Sequence, residues 1–295
     1  MRRLVFVLTL AVLAGCSSAP ERGPSLAAAP AQPLAEVAPT VSAKAYAAIV
    51  VDMRTGKVLH QDGAQSLRYP ASLTKMMTLY LLFDQLQAGR LTTASALTVS
   101  ESAASRPPAK LGVKAGTTIT VDTAARALAV RSANDVAVVV AENIAGSEPE
   151  FAAMMTRKAR SLGMTRTRFV NASGLPDGQQ VTTARDMAIL GKALAENHPR
   201  YFAYFSTRQI TYNGRTWRNT NKLLGKVDGV NGIKTGYIRA SGYNLVASVK
   251  RNGRHVIAVV IGGKSGRSRN QRIEELIATY LPRASRPGLF GMELL

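Results

Sequence analysis

Ser72 and Lys75 stand three positions apart, Ser132 and Asn134 flank Ala133, and Lys234 leads directly into Thr235 and Gly236. A serine hydroxyl is a weak nucleophile at neutral pH and needs a base within hydrogen-bond reach. If Ser72 opens a helix, as the turn-like Arg68-Tyr69-Pro70-Ala71 suggests, Lys75 lies one turn on along the same face. A lysine serves as base only when its pKa falls toward neutrality, which burial and a nearby cation favour. Lys234 is the expected cation. The same helix start would aim backbone N–H groups at a reacting carbonyl, so the Ser72 amide is expected to form half of an oxyanion hole. The chemistry expected is acyl transfer through a serine ester. Ordinary readings stand beside it: Ser132 or Thr183 as helix caps, Lys75 as a solvated charge, Thr235 as a β-branched strand residue. They do not account for the joint spacing of Ser72, Lys75 and Lys234.

Singly each motif is weak, since a chain this long carries roughly one Ser-x-x-Lys by chance. In order, the three match the Ser-x-x-Lys, Ser-Asp-Asn and Lys-Thr-Gly set of class A β-lactamases and penicillin-binding proteins, with Ala133 in place of Asp. Over residues 45–281 the chain resembles the D-alanyl-D-alanine carboxypeptidases of the low-molecular-weight penicillin-binding class, serine peptidase family S11. The stretches that carry the likeness are 69–78 (YPASLTKMMT), 131–135 (RSAND), 169–175 (FVNASGL), 227–236 (VDGVNGIKTG) and 241–248 (SGYNLVAS).

The resemblance implies a β-lactamase/transpeptidase-like α/β fold: an antiparallel sheet from both chain ends, sandwiched by helices, with a helical lobe. It also implies roles. Ser132 would relay the proton to the leaving D-alanine, Asn134 would hold the substrate's peptide carbonyl, and Lys234, Thr235 and Gly236 would face the terminal carboxylate. The Tyr237 amide would complete the oxyanion hole. The substrate would be peptidoglycan stem peptides ending in D-Ala-D-Ala, β-lactams would inhibit, and no cofactor is expected. One departure falls at the carboxylate, where relatives often carry Asn-Arg-Asn and this chain has Asn219-Thr220-Asn221. Thr220 cannot supply a bidentate guanidinium, which leaves Arg267 or Arg269 as candidates for that role or as surface charges.

Residues 1–15 carry Arg2 and Arg3, then an apolar run, then Leu13-Ala14-Gly15 before Cys16, the pattern of a secretory signal. The run is far short of the roughly 20 residues that span a bilayer. Leu-Ala-Gly-Cys also resembles a lipobox. Cys16 is the one cysteine, so no intramolecular disulfide forms, and lipidation is the expected reason for an exported lone thiol. Residues 16–43 are Ala/Pro-rich and read as a tether. The catalytic domain is expected over 44–284 and a tail over 285–295. The expected location is the periplasm, with a lipid anchor in a membrane, the outer rather than the inner, that replaces the amphipathic C-terminal anchor of many relatives.

Net charge is +20, yet the basic residues are scattered and no nucleic-acid-binding signature is present, so no nucleic acid is expected as partner. The charge suits anionic lipid and cell-wall polymers, or a plain solvated surface. Helical patterning predicts helices over 72–87, 123–131, 134–144, 148–162, 183–196 and 270–280. Hairpins are expected at 45–60, at 210–217 around Asn213-Gly214 and at 243–261 around Asn252-Gly253. His60, His198 and His255 lack metal-ligand spacing, and no metal is expected.

Three rivals remain. A class A β-lactamase needs a glutamate to activate the deacylating water, and Ser147-Glu148-Pro149-Glu150-Phe151 superficially resembles such a segment. It lies too close to Ser132 and reads as a helix cap with Pro in the first turn. The second is a D,D-endopeptidase that cleaves cross-links. The third is a non-catalytic peptidoglycan-binding lipoprotein, against which intact Ser72, Lys75, Ser132 and Lys234 argue.

Overall fold

The computed structural model describes Val41 and residues 45–287. The expected signal, Cys16, nearly all of the tether and the end of the tail lie outside those residues. The main sheet has five antiparallel strands in the order β2-β1-β9-β8-β7. The N-terminal hairpin, β1 (Ala47–Asp52) and β2 (Val58–Asp62), joins the C-terminal one, β8 (Gly242–Arg251) and β9 (Arg254–Gly263), through the β1–β9 pairing Ala47↔Ile261 to Asp52↔Val256. The sheet thus comes from both chain ends, as expected. Strand β7 (Val230–Ile238) is an edge, paired only to β8.

Burial on both faces explains why the inner strands read as near-continuous Val, Ile and Ala. Ile49, Val246, Ile257 and Val259 belong to one core with Leu79 and Leu190, while Ala48, Val50, Leu245 and Val260 pack in a second with Ile273 and Leu276. Leu79 lies on α1 (Lys75–Gln87), Leu190 on α6 (Ala184–Asn197), and the second core is covered by α7 (Gly266–Tyr280). Helices α2 (Glu101–Ala104), α3 (Val121–Arg126), α4 (Asn134–Ala145) and α5 (Glu148–Ser161) build the helical lobe, with a small ribbon of β3 (Ala96–Thr98) and β4 (Thr118–Thr120).

Both Asn-Gly turns form as read: Asn213 and Gly214 (φ 48° and 73°) join β5 (Gln209–Tyr212) to β6 (Arg215–Arg218), and Asn252 and Gly253 (φ 52° and 70°) join β8 to β9. Positive φ at both central residues matches the right-handed strand twist. The Ser147 hydroxyl accepts from the Glu150 amide and caps α5, and Thr183 likewise caps α6 through the Asp186 amide.

Three expectations shift. Helix α7 begins at 266 and not 270, because Ser265 and Ser268 form a reciprocal capping box. The helix expected over 123–131 is α3 followed by a π-turn over Ala127–Arg131, closed by Ser132 in the left-handed region at φ 62°. Ser72 does not open an α-helix: it lies in the 3-10 turn Ala71–Thr74, and α1 starts at Lys75. Packing also continues past the expected domain end at 284, since the Ser285 amide and hydroxyl both donate to Asp52.

Candidate active site

The 3-10 turn that carries Ser72 is pressed from two sides. Ala71, before it, takes φ 49°, a left-handed conformation that costs a non-glycine residue roughly 1–2 kcal/mol and persists only where neighbours enforce it. Gly174 (φ 83°) lies so close that a Cβ there would sit 1.9 Å from the Ala71 carbonyl oxygen. On the other side runs β7, where a Cβ at Gly236 would sit 3.1 Å from the Ser72 amide nitrogen. Glycine at 236 therefore lets the edge strand lie against the serine's backbone, with the Tyr237 amide next along the strand. Asn244 supports the turn from β8, its side chain donating to the Pro70 carbonyl at 3.4 Å and to Ser241 Oγ at 3.0 Å.

Lys75 is fully buried, and its Nζ has three neighbours: Ser72 Oγ at 3.2 Å, Asn134 Oδ1 at 2.7 Å and the Ser173 carbonyl at 2.5 Å. Two are carbonyl oxygens that can only accept, whereas a serine hydroxyl can donate. A neutral amine has two N–H bonds and one lone pair, and this arrangement leaves the lone pair for Ser72. Burial is the main force that holds the Lys75 pKa well below its ordinary value, followed by the Lys234 charge, with Asp135 and Glu148 opposing. The solvated-charge reading of Lys75 is thereby removed.

Lys234 is also buried, its Nζ 3.0 Å from the Thr235 carbonyl, and burial with the neighbouring Arg269 charge brings its pKa to about 7. Thr235 Oγ1 donates to Thr220 Oγ1 at 2.8 Å, so the residue that stands where relatives often carry arginine touches the Lys-Thr-Gly strand directly. The Ser132 hydroxyl is buried and makes no hydrogen bond to any described residue, and the residue at the N-cap of α4 is Ala133. Ser132 is therefore no helix cap. A buried, unpartnered hydroxyl costs stability and points to a partner supplied by substrate or solvent.

Asn134 is committed twice, accepting from Lys75 and donating through Nδ2 to the Pro107 carbonyl at 3.0 Å. Asp135 beside it, unassigned in the sequence reading, accepts from the Leu111, Gly112, Val113 and Val136 amides and so ties the α2–β4 loop to the start of α4. Glu148 accepts from the Ala172 amide at 3.0 Å and pairs with Arg106 at 2.8 Å. Arg269 is buried, its guanidinium donating to the Asn244 carbonyl and to Asn270, and burial lowers its pKa to about 10. It braces β8, while Arg267 is exposed.

Sequence reasoning counted 169–175 toward the likeness but gave the loop 171–174 no role in the site. Asn171 Oδ1 accepts from the Ser173 and Gly174 amides, and the Thr78 hydroxyl holds the Ala172 carbonyl at 2.6 Å. The signal available was Asn-x-Ser-Gly, a local turn pattern in which an Asn side chain bonds backbone two residues on. The histidines stay out of this network: His60 stacks on Tyr280, His198 packs against Tyr80 and Phe83, and His255 bonds Ser248.

Residues 32–265 match the family described as D-alanyl-D-alanine carboxypeptidase, peptidase S11. The D-alanyl-D-alanine carboxypeptidase DacC of Escherichia coli K12 is 37% identical over 247 residues, 81% of this chain and 61% of that protein. The chain spans about three fifths of the length of the curated carboxypeptidases it matches. The crystal structure of the carboxypeptidase DacD from Francisella tularensis is 30% identical, with 81% of this chain and 70% of that one covered and a TM-score of 0.78. Penicillin-binding protein D2 from Listeria monocytogenes, in its ampicillin-bound form, is 30% identical with 81% and 97% covered and a TM-score of 0.72. The fold is that of the β-lactamases and transpeptidases, and the chain belongs to the D-alanyl-D-alanine carboxypeptidase family of serine peptidases, S11.

Proposed function

We propose that this protein removes the terminal D-alanine from peptidoglycan stem peptides through an acyl-enzyme on Ser72. One observation carries the reading: a buried Lys75 whose two carbonyl partners leave its lone pair for the Ser72 hydroxyl. Lys75 takes the Ser72 proton as Oγ bonds to the carbonyl carbon of the penultimate D-alanine. The Ser72 and Tyr237 amides receive the developing oxyanion. The C–N bond then breaks, the leaving amine takes a proton from Lys75 through Ser132, and water later hydrolyses the ester. Lys234 and Thr235 face the leaving residue's carboxylate, with Thr220 beside them.

A β-lactam enters the same steps, but its opened ring stays attached and the ester persists. Glu148 is tied to Arg106 and the Ala172 amide, which supports slow deacylation and weighs against a β-lactamase. Family membership supports peptidoglycan as substrate class and β-lactam binding as parts of this proposal, and terminal cleavage in preference to cross-link cleavage is its sharpest part. Its test is incubation of the full chain with muropeptides and mass spectrometry. Loss of one D-alanine from pentapeptides supports it, and cleaved cross-linked dimers with intact pentapeptides would make the protein an endopeptidase. Ser72→Ala is expected to abolish both peptide hydrolysis and penicillin labelling; survival of either refutes the nucleophile.

The Leu13-Ala14-Gly15-Cys16 pattern supports export and lipid anchoring at Cys16, with residues 16–43 as the tether of a domain over 44–284. Ser17 and Ser18 after the cysteine support the outer membrane and a periplasmic enzyme. Cys16→Ser is expected to move the protein from the membrane to the soluble fraction, and an unchanged distribution would remove the anchor.

A further inference from the structure

Tyr237 is the large apolar side chain that stands out to solvent among the described residues, 54% exposed, with its ring 4.4 Å from that of Tyr243. The pair sits at one corner of the sheet. There the β7–β8 turn, 239–241, closes on the pair Ile238↔Gly242, and Tyr243 lies opposite Gly263 at the end of β9. A Cβ at Gly266 would be 3.7 Å from the Tyr243 ring, so the start of α7 completes the corner. Arg239 on the β7–β8 turn, Lys264 between β9 and α7, and Arg267 in the first turn of α7 are exposed and form no ion pair with a described residue. No Asp or Glu occurs between Asp228 and Glu274, so the charged residues that these segments bring to the aromatic face are all basic.

Its position along β7 gives the patch a direction. With the terminal carboxylate at Lys234 and Thr235 and the scissile carbonyl at the Tyr237 amide, the acyl part of the substrate leaves along the free edge of β7 toward Ile238 and Arg239. At about 3.3–3.6 Å per residue, the residue before the D-Ala pair lies over this corner. We propose that Tyr237 and Tyr243, with Arg239 and Lys264, form an acyl-side subsite for stem peptides whose residue before D-Ala-D-Ala bears a side-chain carboxylate. The methylenes of that side chain lie on the tyrosine rings and its carboxylate meets Arg239, whose planar fork suits a two-oxygen anion. This rests on the carboxypeptidase reading and names the substrate subclass the site prefers.

The test compares three N-acylated peptides X-D-Ala-D-Ala: X as diaminopimelic acid with a free side-chain carboxylate, X as its side-chain amide, and X as lysine. Released D-alanine is measured with the full-length protein in detergent. The carboxylate peptide is expected to show about three- to tenfold higher kcat/KM than the other two, carried by KM and shrinking with added salt. In Arg239→Gln/Lys264→Gln the ratio is expected to fall toward one, with penicillin labelling of Ser72 reporting a folded site. A ratio near one in the unaltered protein, or a ratio kept in the double variant, overturns the subsite while leaving the carboxypeptidase standing. Release of D-alanine from none of the three overturns the carboxypeptidase and the subsite with it.

Discussion

Two buried lysines share the site, and burial lowers the pKa of both, yet the proposed mechanism needs them in different charge states. Lys75 is pressed down by burial and then by Lys234, and in the proposed mechanism works neutral, while Lys234, with a pKa of about 7, would carry its charge to meet the substrate carboxylate. The pH profile of kcat/KM therefore rises as Lys75 loses its proton and falls as Lys234 loses its own through about 7. In Lys234→Gln the falling limb is expected to vanish and the maximum to drop by about 10²-fold. The rising limb should move to higher pH, since the charge that helps depress Lys75 is gone. A falling limb unchanged in the variant would mean another group titrates there. Ser72, Lys75 and Lys234 were legible because chemistry constrains their types and spacing. Asn134 and the Ser173 carbonyl as the acceptors that shape Lys75's proton inventory were not, because a backbone oxygen 98 positions away leaves no trace in composition or period.

At the scale of elements, local signals read well where the residue itself demands a conformation. The two Asn-Gly hairpin turns and the Ser147 and Thr183 caps are of that kind. Ala71 and Ser132 are not, since neither residue type announces a left-handed backbone; tertiary contact imposes it. The three-residue strands β3 and β4 are too short to show a period. Gly174 shows how one element sets another. Gly174→Ala puts a Cβ on the Ala71 carbonyl in a left-handed conformation, so the loop or the serine turn must move, and the same loop delivers Ser173 to Lys75. The expected loss is about 10²-fold in kcat and about 2–4 kcal/mol in stability. Gly163→Ala is the control: its φ is 86°, but nothing lies within 4 Å of the added Cβ. It should cost about 1–2 kcal/mol and leave kcat intact, measured by urea unfolding and D-alanine release. Equal activity losses in the two variants would mean backbone strain alone disturbs the site.

Over the whole molecule, strand content at both chain ends was readable from hydrophobic runs, but the β1–β9 pairing that welds the ends together was not, because register between distant strands depends on packing and not on local pattern. That weld has a polar clasp at its margin. Asp52, the last residue of β1, is buried and accepts from the Arg54 amide and from both the amide and hydroxyl of Ser285, while Arg54 Nε donates to Ser285 Oγ. Burial alone would raise the Asp52 pKa, and the Ser285 and Arg54 hydrogen bonds more than offset it, bringing it to about 2. A carboxyl whose folded pKa lies below its unfolded value stabilises the fold above the unfolded value, and that contribution is lost as pH falls through the folded one. The window here runs from about 4 down to about 2. Asp52→Asn keeps the shape but gives up the charge-assisted acceptor, so urea unfolding should show a loss of about 1–2 kcal/mol at pH 7. The difference between the two proteins should shrink steadily below pH 4 and vanish only below pH 2, once the native carboxyl is protonated as well. A constant difference across that range would mean the clasp acts through shape alone and the charge on Asp52 contributes nothing.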